Sequence, residues 1–141
     1  MSKVAIIYWS GTGNTKIMAE LIAEGARSEG AEVTLKEVGE ATVLDIEQSA
    51  VVALGCPSMG DEILEESEME PFIEDIKQSI KNKKVVLFGS YGWGDGQWMR
   101  DWEERMFSYG SQIYSDCVIA NYEPDEDKKE ECIELGKKIS R

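Results

Sequence analysis

Apolar residues in this chain form short continuous runs that alternate with longer stretches of helical spacing. The runs predict strands, since continuous apolar residues are typical of strands buried on both faces. The strands are expected at 3–9, 31–38 (half exposed), 51–56, 83–91 and 116–122. The stretches between them repeat apolar residues every three or four positions, which is typical of amphipathic helices. The helices are expected at 14–28, 69–80, 97–109 and 124–139, with Pro124 as a first helical residue, and one short helix within 39–49.

This alternation predicts an α/β fold, a doubly wound five-stranded parallel sheet with helices on both faces. The spacing suits the strand order 2-1-3-4-5, in which strands 1, 3 and 4 are neighbours and ligands bind beyond their carboxyl ends. A length of 141 residues predicts a single domain over residues 1–141.

The composition restricts the kinds of partner and ligand that the protein can bind. With 28 acidic and 15 basic residues, the formal net charge is -13, which argues against nucleic acid or an anionic membrane and favours a basic protein surface. Solubility alone explains the acid excess equally well. The absence of histidine excludes imidazole ligands and a histidine base, and three cysteines without CxxC spacing predict buried thiols and no metal site. The apolar run near the start is too short for a signal peptide core or a membrane span, so a cytoplasmic location is expected.

Three loops rich in glycine and polar residues follow strands 1, 3 and 4. They read SGTGNT (10–15), PSMGDE (57–62) and YGWGDG (91–96). Because carboxyl ends of neighbouring parallel strands meet at one edge, the order predicts that these loops form one site.

The first loop is suited to an anion. It does not fit the Walker A pattern, and Lys16 stands where a dinucleotide fingerprint requires glycine. Backbone amides and the helix dipole near Asn14 favour negative charge, and Ser10, Thr12 and Thr15 add hydroxyl groups without any acid. A phosphate monoester fits these neutral donors. An ordinary polar strand-to-helix turn accounts for the same residues about as well.

The other two loops carry groups suited to a planar ring. Met59 and Trp93 are large apolar residues placed in loops, and together they could sandwich such a ring. Glu62 and the backbone near Gly60 and Gly92 could meet its polar edge. A partly buried loop aromatic is the alternative interpretation of Trp93.

The three motifs, SGTGNT, MGDE and SYGWGDGxW, resemble in sequence and order those of the flavodoxins, specifically the short-chain type of anaerobic bacteria. The resemblance covers the whole chain, including EPDE…C…GKKI near its end. It implies a monomeric, low-potential electron carrier with non-covalently bound FMN, which passes through oxidised, semiquinone and hydroquinone states in place of a ferredoxin. It implies electron transfer rather than enzyme catalysis, and hence no catalytic residues.

The resemblance also implies a cofactor contact for each loop. Residues 10–15 would hold the phosphate, with Trp9 covering the phosphate and ribityl side. Met59 would lie on the inner face of the ring and Trp93 on the outer face. The FMN residues expected are Trp9, Ser10, Gly11, Thr12, Gly13, Asn14, Thr15, Ser58, Met59, Gly60, Asp61, Glu62, Ser90, Tyr91, Gly92 and Trp93.

Finer roles follow from the same resemblance. Glu62 would meet the ring N3, the Asp61 amide would lie near O4, and Ser90 and Gly92 would lie near the pyrimidine edge and ribityl chain. In the family, the peptide after the residue matching Gly60 flips, so that its carbonyl reaches the hydrogen on N5 of the semiquinone. The chain departs from the family at Cys56-Pro57, which is not the usual pair.

The segment 61–75 contains only acidic charges and would flank the flavin. Its acids are Asp61, Glu62, Glu65, Glu66, Glu68, Glu70, Glu74 and Asp75. This segment is expected to dock transiently to basic surfaces of redox partner enzymes. A merely solvated face is the alternative.

Three other functions are alternatives to an electron carrier. An FMN-dependent NAD(P)H reductase is the main alternative, but it needs a second substrate pocket and these loops are short. A response-regulator receiver needs an aspartate where the chain has Gly55 and Cys56. A small phosphatase needs CxxxxxR, whereas Glu62 stands six residues after Cys56.

Overall fold

The strands form one parallel sheet in the predicted order. The computed structural model describes residues 3–60 and 62–140. Its strands are β1 (Lys3–Tyr8), β2 (Glu32–Glu37), β3 (Val51–Gly55), β4 (Lys84–Tyr91), β5 (Gln112–Ile113) and β6 (Val118–Asn121). The order is β2-β1-β3-β4-β5, and β6 also pairs with β4. Every pairing is parallel, which confirms the doubly wound topology.

The fifth position of the sheet differs from the prediction of one strand over 116–122. Two short strands occupy it, since β5 pairs with the beginning of β4 and β6 with its end. Residues 114–117 separate them, and the Tyr114 ring lies beneath the ammonium groups of Lys84 and Lys138, at 4.7 and 6.0 Å. These contacts hold the tyrosine against the sheet where the chain between β5 and β6 is not paired with β4.

The helices cover both faces of the sheet. They are α1 (Asn14–Ser28), α2 (Val43–Glu47), α3 (Met69–Asp75), α4 (Gln97–Ser108) and α5 (Glu126–Ile139), with a 3-10 turn at Val38–Glu40 before α2. One apolar core lies between the sheet and α2, α3 and α4, and a second lies beneath α1 and α5. Helices α1 and α5 pack closely because Gly25 and Gly136 each face the backbone of the other helix, where a Cβ would clash. Within the described residues, no helix has both the length and the apolar composition needed to cross a membrane.

Two helix boundaries differ from the prediction. Helix α3 ends at Asp75 and not at residue 80, although Ile76 and Ile80 are buried as their spacing indicated. Successive turns hold these two side chains in the core as well as a helix would. Their spacing therefore indicates burial but not helical hydrogen bonds. Helix α5 begins at Glu126, after Pro124, because the Asp125 carboxylate accepts a hydrogen bond from Lys128 N at 2.8 Å and caps the helix there.

Candidate functional site

A cleft of about 270 Å³ opens at the carboxyl ends of β1, β3 and β4. Its lining is Trp9, Gly11, Thr12, Asn14, Pro57, Ser58, Met59, Ser90, Tyr91, Gly92 and Tyr122. All three predicted loops contribute, so the sheet order does bring them together. Pro57 and Tyr122 are the lining residues that were not among the expected FMN contacts.

The first loop presents free backbone donors. Gly13 is the N-cap of α1 with φ 101, and no acid occupies the first turn of the helix. The Ser10 hydroxyl accepts hydrogen bonds from the amides of Gly13 and Lys16, at 3.1 and 3.2 Å. Five further amides have no acceptor within the described part of the chain: those of Ser10, Gly11, Thr12, Asn14 and Thr15. Such a cluster at the positive end of a helix is suited to an anion.

The Thr15 side chain has a different role from the one expected. It is buried, and its hydroxyl shares a 3.1 Å hydrogen bond with the Ser90 hydroxyl and accepts a second from Ser90 N at 3.3 Å. These bonds join the first loop to the end of β4. The Thr15 amide has no acceptor among the described residues and is available to an anion.

The second loop is a tight hairpin. Met59 and Ile63 exchange two backbone hydrogen bonds, of 2.9 and 3.0 Å. The residues between them turn with positive φ at Gly60, 42°, and at Glu62, 58°. The predicted contact of the Asp61 amide lies outside the described residues. The hairpin is anchored to β4 by a hydrogen bond from Ser58 N to Ser90 O at 3.0 Å, which places Met59 in the wall of the cleft.

Glu62 does not line the cleft. Its carboxylate accepts a hydrogen bond from Gln97 N at 3.0 Å, at the first residue of α4. A Cβ on Gly94 would lie 2.6 Å from its carboxyl carbon and would displace the carboxylate, and Gly94 has φ 85, which also favours glycine. The bond to Gln97 N uses one of the two carboxylate oxygens and holds the side chain at the beginning of α4.

The two tryptophans of the site are placed differently. The Trp9 ring is half-buried and packs against Gly11, where a Cβ would lie 3.1 Å from the ring. Trp93 has 60% of its surface exposed and does not line the cleft. The predicted outer wall is thus open to solvent, and an exposed aromatic beside a cleft is a candidate for ligand contact.

The sequence pattern does not indicate Tyr122, because it predicts the site from the loops after strands 1, 3 and 4. It follows β6, which pairs with the carboxyl end of β4, so its loop also reaches the cleft. The rule that ligands bind beyond strand carboxyl ends applies to this strand as well and would have drawn attention to it.

Cys56 lies beneath the second loop as an inert thiol. Burial raises the pKa of the Cys56 thiol to about 12. Its carbonyl accepts a hydrogen bond from Trp98 Nε1 at 3.1 Å, and its sulfur accepts one from Glu65 N at 3.4 Å. A thiol in this state supports the loop and is not a redox group.

Glu65 is not part of an exposed docking face, contrary to expectation. It is 6% exposed, and its carboxylate accepts hydrogen bonds from the amides of Ser67, Glu68 and Met69 at 2.7 to 3.0 Å. Burial alone raises the pKa of this carboxyl, but the bonds from the Met69, Glu68 and Ser67 amides outweigh it, so the pKa lies below its ordinary value of 4.5. Glu65 therefore stabilises the beginning of α3.

We expect Glu65→Gln to lower the free energy of unfolding by about 1–2 kcal/mol, because charge-assisted bonds to three amides become neutral. The folded pKa is lowered, so this contribution is fully present above the ordinary value of 4.5 and is lost as pH falls through the folded pKa. Urea unfolding of the apoprotein at pH 7 and below 4 measures the difference, which should shrink at the lower pH. Glu66→Gln, at an exposed neighbour, is the control; equal losses in both variants would contradict the capping role.

Comparison with known proteins now decides the family. The family model described as "Flavodoxin" matches residues 6–136. The chain belongs to the flavodoxin family. It is 54% identical to the flavodoxin of Clostridium beijerinckii over 135 residues, which cover 96% of this chain and 97% of that one. It is 43% identical to the flavodoxin of Megasphaera elsdenii over 138 residues, covering 98% of each.

A solved structure agrees with the assignment of the fold. The solution structure of two-electron reduced Megasphaera elsdenii flavodoxin superposes with a TM-score of 0.90, covering 97% of this chain and 98% of that one. As a flavodoxin, the chain binds FMN non-covalently and carries single electrons between redox enzymes. It is an electron-transfer protein and not an enzyme. The family, fold, cofactor and activity implied by the sequence motifs are confirmed.

Proposed function

We propose that FMN lies in the cleft with its phosphate on residues 10–15 and its ring between Met59 and Trp93. The observation that carries this assignment is a set of five amides, in a loop without any carboxylate, that have no acceptor among the described residues. In a chain of net charge -13, this loop has no charged side chain, and its neutral donors lie close together at the positive end of a helix, which suits a phosphate. The remaining contacts expected from the sequence, including Asp61 and Glu62, belong to the same proposal.

Each part of the cleft then has a separate task. The first loop binds the phosphate through backbone N–H groups, and Trp9 covers it. Met59 excludes water from one face of the ring, and the Thr15–Ser90 hydrogen bonds fix the first loop against β4. Bound FMN supplies the one-electron chemistry; the protein supplies position and electrostatic surroundings.

A comparison of FMN with riboflavin tests this assignment. Riboflavin has the same ring but no phosphate, so we expect the apoprotein to bind FMN much more tightly. Titration followed by flavin fluorescence, with a visible absorption spectrum of the purified holoprotein, measures both affinities. Equal affinities would show that residues 10–15 do not hold the phosphate.

The protein also presents an acidic face for docking. Within segment 61–75, Glu70 and Glu74 pair with Arg105, whereas Glu66, Glu68 and Asp75 are exposed without an ion pair among the described residues. We propose that these exposed acids steer the protein to basic surfaces of its redox partners. No observation favours the NAD(P)H reductase alternative.

Charge reversal at Glu66 should slow association with a basic reductase. Glu66→Lys removes attraction in the encounter complex, so the association rate constant should fall several-fold at low salt. The loss should shrink with added salt, since the Debye length falls from about 10 Å at 0.1 M to about 3 Å at 1 M. Glu32→Lys is matched in charge, and Glu32 lies at the beginning of β2, at the end of the sheet away from the cleft. If the stopped-flow rate constants fall equally in both variants, the effect comes from net charge and not from a docking face at segment 61–75.

Two further proposals concern the state of the protein in the cell. We propose that it acts as a monomer, because a carrier that alternates between partners needs its cofactor edge accessible. We also propose a cytoplasmic location. Three free cysteines without a disulfide among the described residues support a reducing compartment.

A further inference from the structure

Tyr122 lies at the rim of the flavin cleft, next to the third loop. It follows directly after β6, lines the cleft and is 63% exposed. A Cβ on Gly92 would lie 3.2 Å from Tyr122 Cε1, so the tyrosine ring covers the backbone of Gly92. A large aromatic side chain thus stands at the cleft mouth without being buried in either core.

The backbone of Tyr122 adopts a conformation that tyrosine disfavours. Its φ is 58°, in the left-handed region, where a Cβ approaches the carbonyl oxygen. Among the described residues other than glycine, only Glu62, Asn82 and Tyr122 have positive φ. Asparagine tolerates this region, but a bulky aromatic does so rarely, and such residues are concentrated at ligand clamps.

Local hydrogen bonds hold this conformation. Tyr122 N donates to Tyr91 O at 2.7 Å, and Asn121 Nδ2 donates to the same oxygen at 3.3 Å. Tyr91 itself lines the cleft, so these bonds tie Tyr122 to the end of β4. The conformation fixes the ring at the cleft edge, although glycine would meet the same backbone requirement without strain.

We infer that Tyr122 is a further FMN-contacting residue, whose ring forms an aromatic wall at the cleft rim beside Gly92. Its strained backbone is retained because it directs the ring toward the cofactor. An aromatic ring at this place adds apolar contact and excludes water from the flavin edge. This inference rests on FMN occupying the cleft as proposed above.

Tyr122→Gly separates binding from folding. Glycine relieves the backbone strain, so the apoprotein should unfold at an equal or higher urea concentration. Loss of the ring should nevertheless raise the Kd for FMN by about 5- to 20-fold, the lower part of the range for aromatic stacking. Stability and affinity then change in opposite directions, which loss of folded protein cannot produce. An unchanged Kd would overturn the inference.

Three further variants complete the test. Tyr122→Phe keeps the ring and should bind FMN within about twofold of the parent; a loss equal to that of Tyr122→Gly would overturn the assignment to the ring. Asn82→Gly relieves a positive φ far from the cleft, and Phe107→Ala removes an aromatic that is 72% exposed on α4. Both should leave the Kd unchanged, and a loss in either equal to that of Tyr122→Gly would overturn the inference. If the parent binds FMN and riboflavin equally, the proposed phosphate site fails, an outcome distinct from failure at Tyr122.

Discussion

Trp93→Ala is expected to raise the Kd for FMN roughly 5- to 150-fold, or about 1–3 kcal/mol, the range for stacking of an aromatic side chain on a planar base. Trp93 stands between Gly92 and Gly94 and is 60% exposed. Most of its surface is therefore available for contact with the outer face of the ring. Titration of the apoprotein with FMN, followed by flavin fluorescence, gives the Kd. Tryptophan and flavin fluorescence should both be quenched in the parent holoprotein.

Trp93→Ala should have little effect on the free energy of unfolding. The side chain contributes to neither apolar core, so urea unfolding of the apoprotein should change little. Trp93→Phe keeps an aromatic face and should recover most of the affinity. If the alanine variant and the parent bind FMN with the same affinity, the assignment of Trp93 to the outer face is contradicted.

Gly60→Thr is expected to lower the midpoint potential of the first one-electron reduction by tens of millivolts, on the order of 100 mV at most. A carbonyl turned toward N5 would accept a hydrogen bond from reduced FMN, which has a proton on N5, but not from oxidised FMN, whose N5 is itself an acceptor; such a bond is worth about 0.5–1.5 kcal/mol. Gly60 has φ 42, and a Cβ there would disfavour this turn by about 1 kcal/mol or more. For a one-electron couple, 59 mV corresponds to a tenfold change in the equilibrium constant. The loss of the hydrogen bond and the cost of the turn together correspond to the expected shift in potential.

FMN binding should survive the Gly60→Thr substitution. A Cβ on Gly60 would meet no atom within 4 Å, so the change strains the turn without filling the cleft. Gly30→Thr is a matched control, because Gly30 has φ 86 and equally open surroundings at the end of α1. It should cost stability but leave the potential unchanged in a dithionite titration. Equal potentials for Gly60→Thr and the parent, with FMN bound to both, would show that Gly60 only permits a static turn.

The alternation of apolar runs and helical spacing was enough to determine the sheet. It gave the order in which β2, β1, β3 and β4 lie, and with it the edge where residues 10–15, 57–62 and 91–96 meet. This worked because burial on both faces of a parallel sheet leaves a continuous apolar signal, and because right-handed crossovers allow few alternative orders. The family motifs lie at that edge, so the cofactor could be predicted from the same residues.

The sequence pattern predicts the ends of helices and strands less well than their order. The helix expected to reach residue 80 ends at Asp75, and the fifth strand is divided in two. Apolar spacing reports which side chains are buried, and turns bury Ile76 and Ile80 as effectively as a helix does. Side-chain caps such as Asp125 decide the boundaries through single hydrogen bonds, which periodicity does not contain.

The roles of individual acids and aromatics were decided only by the tertiary structure. In sequence, Glu62, Glu65 and Glu66 are equivalent acids of one segment. In the fold, Glu62 binds the Gln97 amide, Glu65 is buried at the beginning of α3, and Glu66 is exposed. Tyr122 reaches the cleft only because β6 pairs with β4. A side chain's role depends on which backbone donors and which neighbours from distant segments come within about 3 to 4 Å, and that proximity is a property of the packed chain.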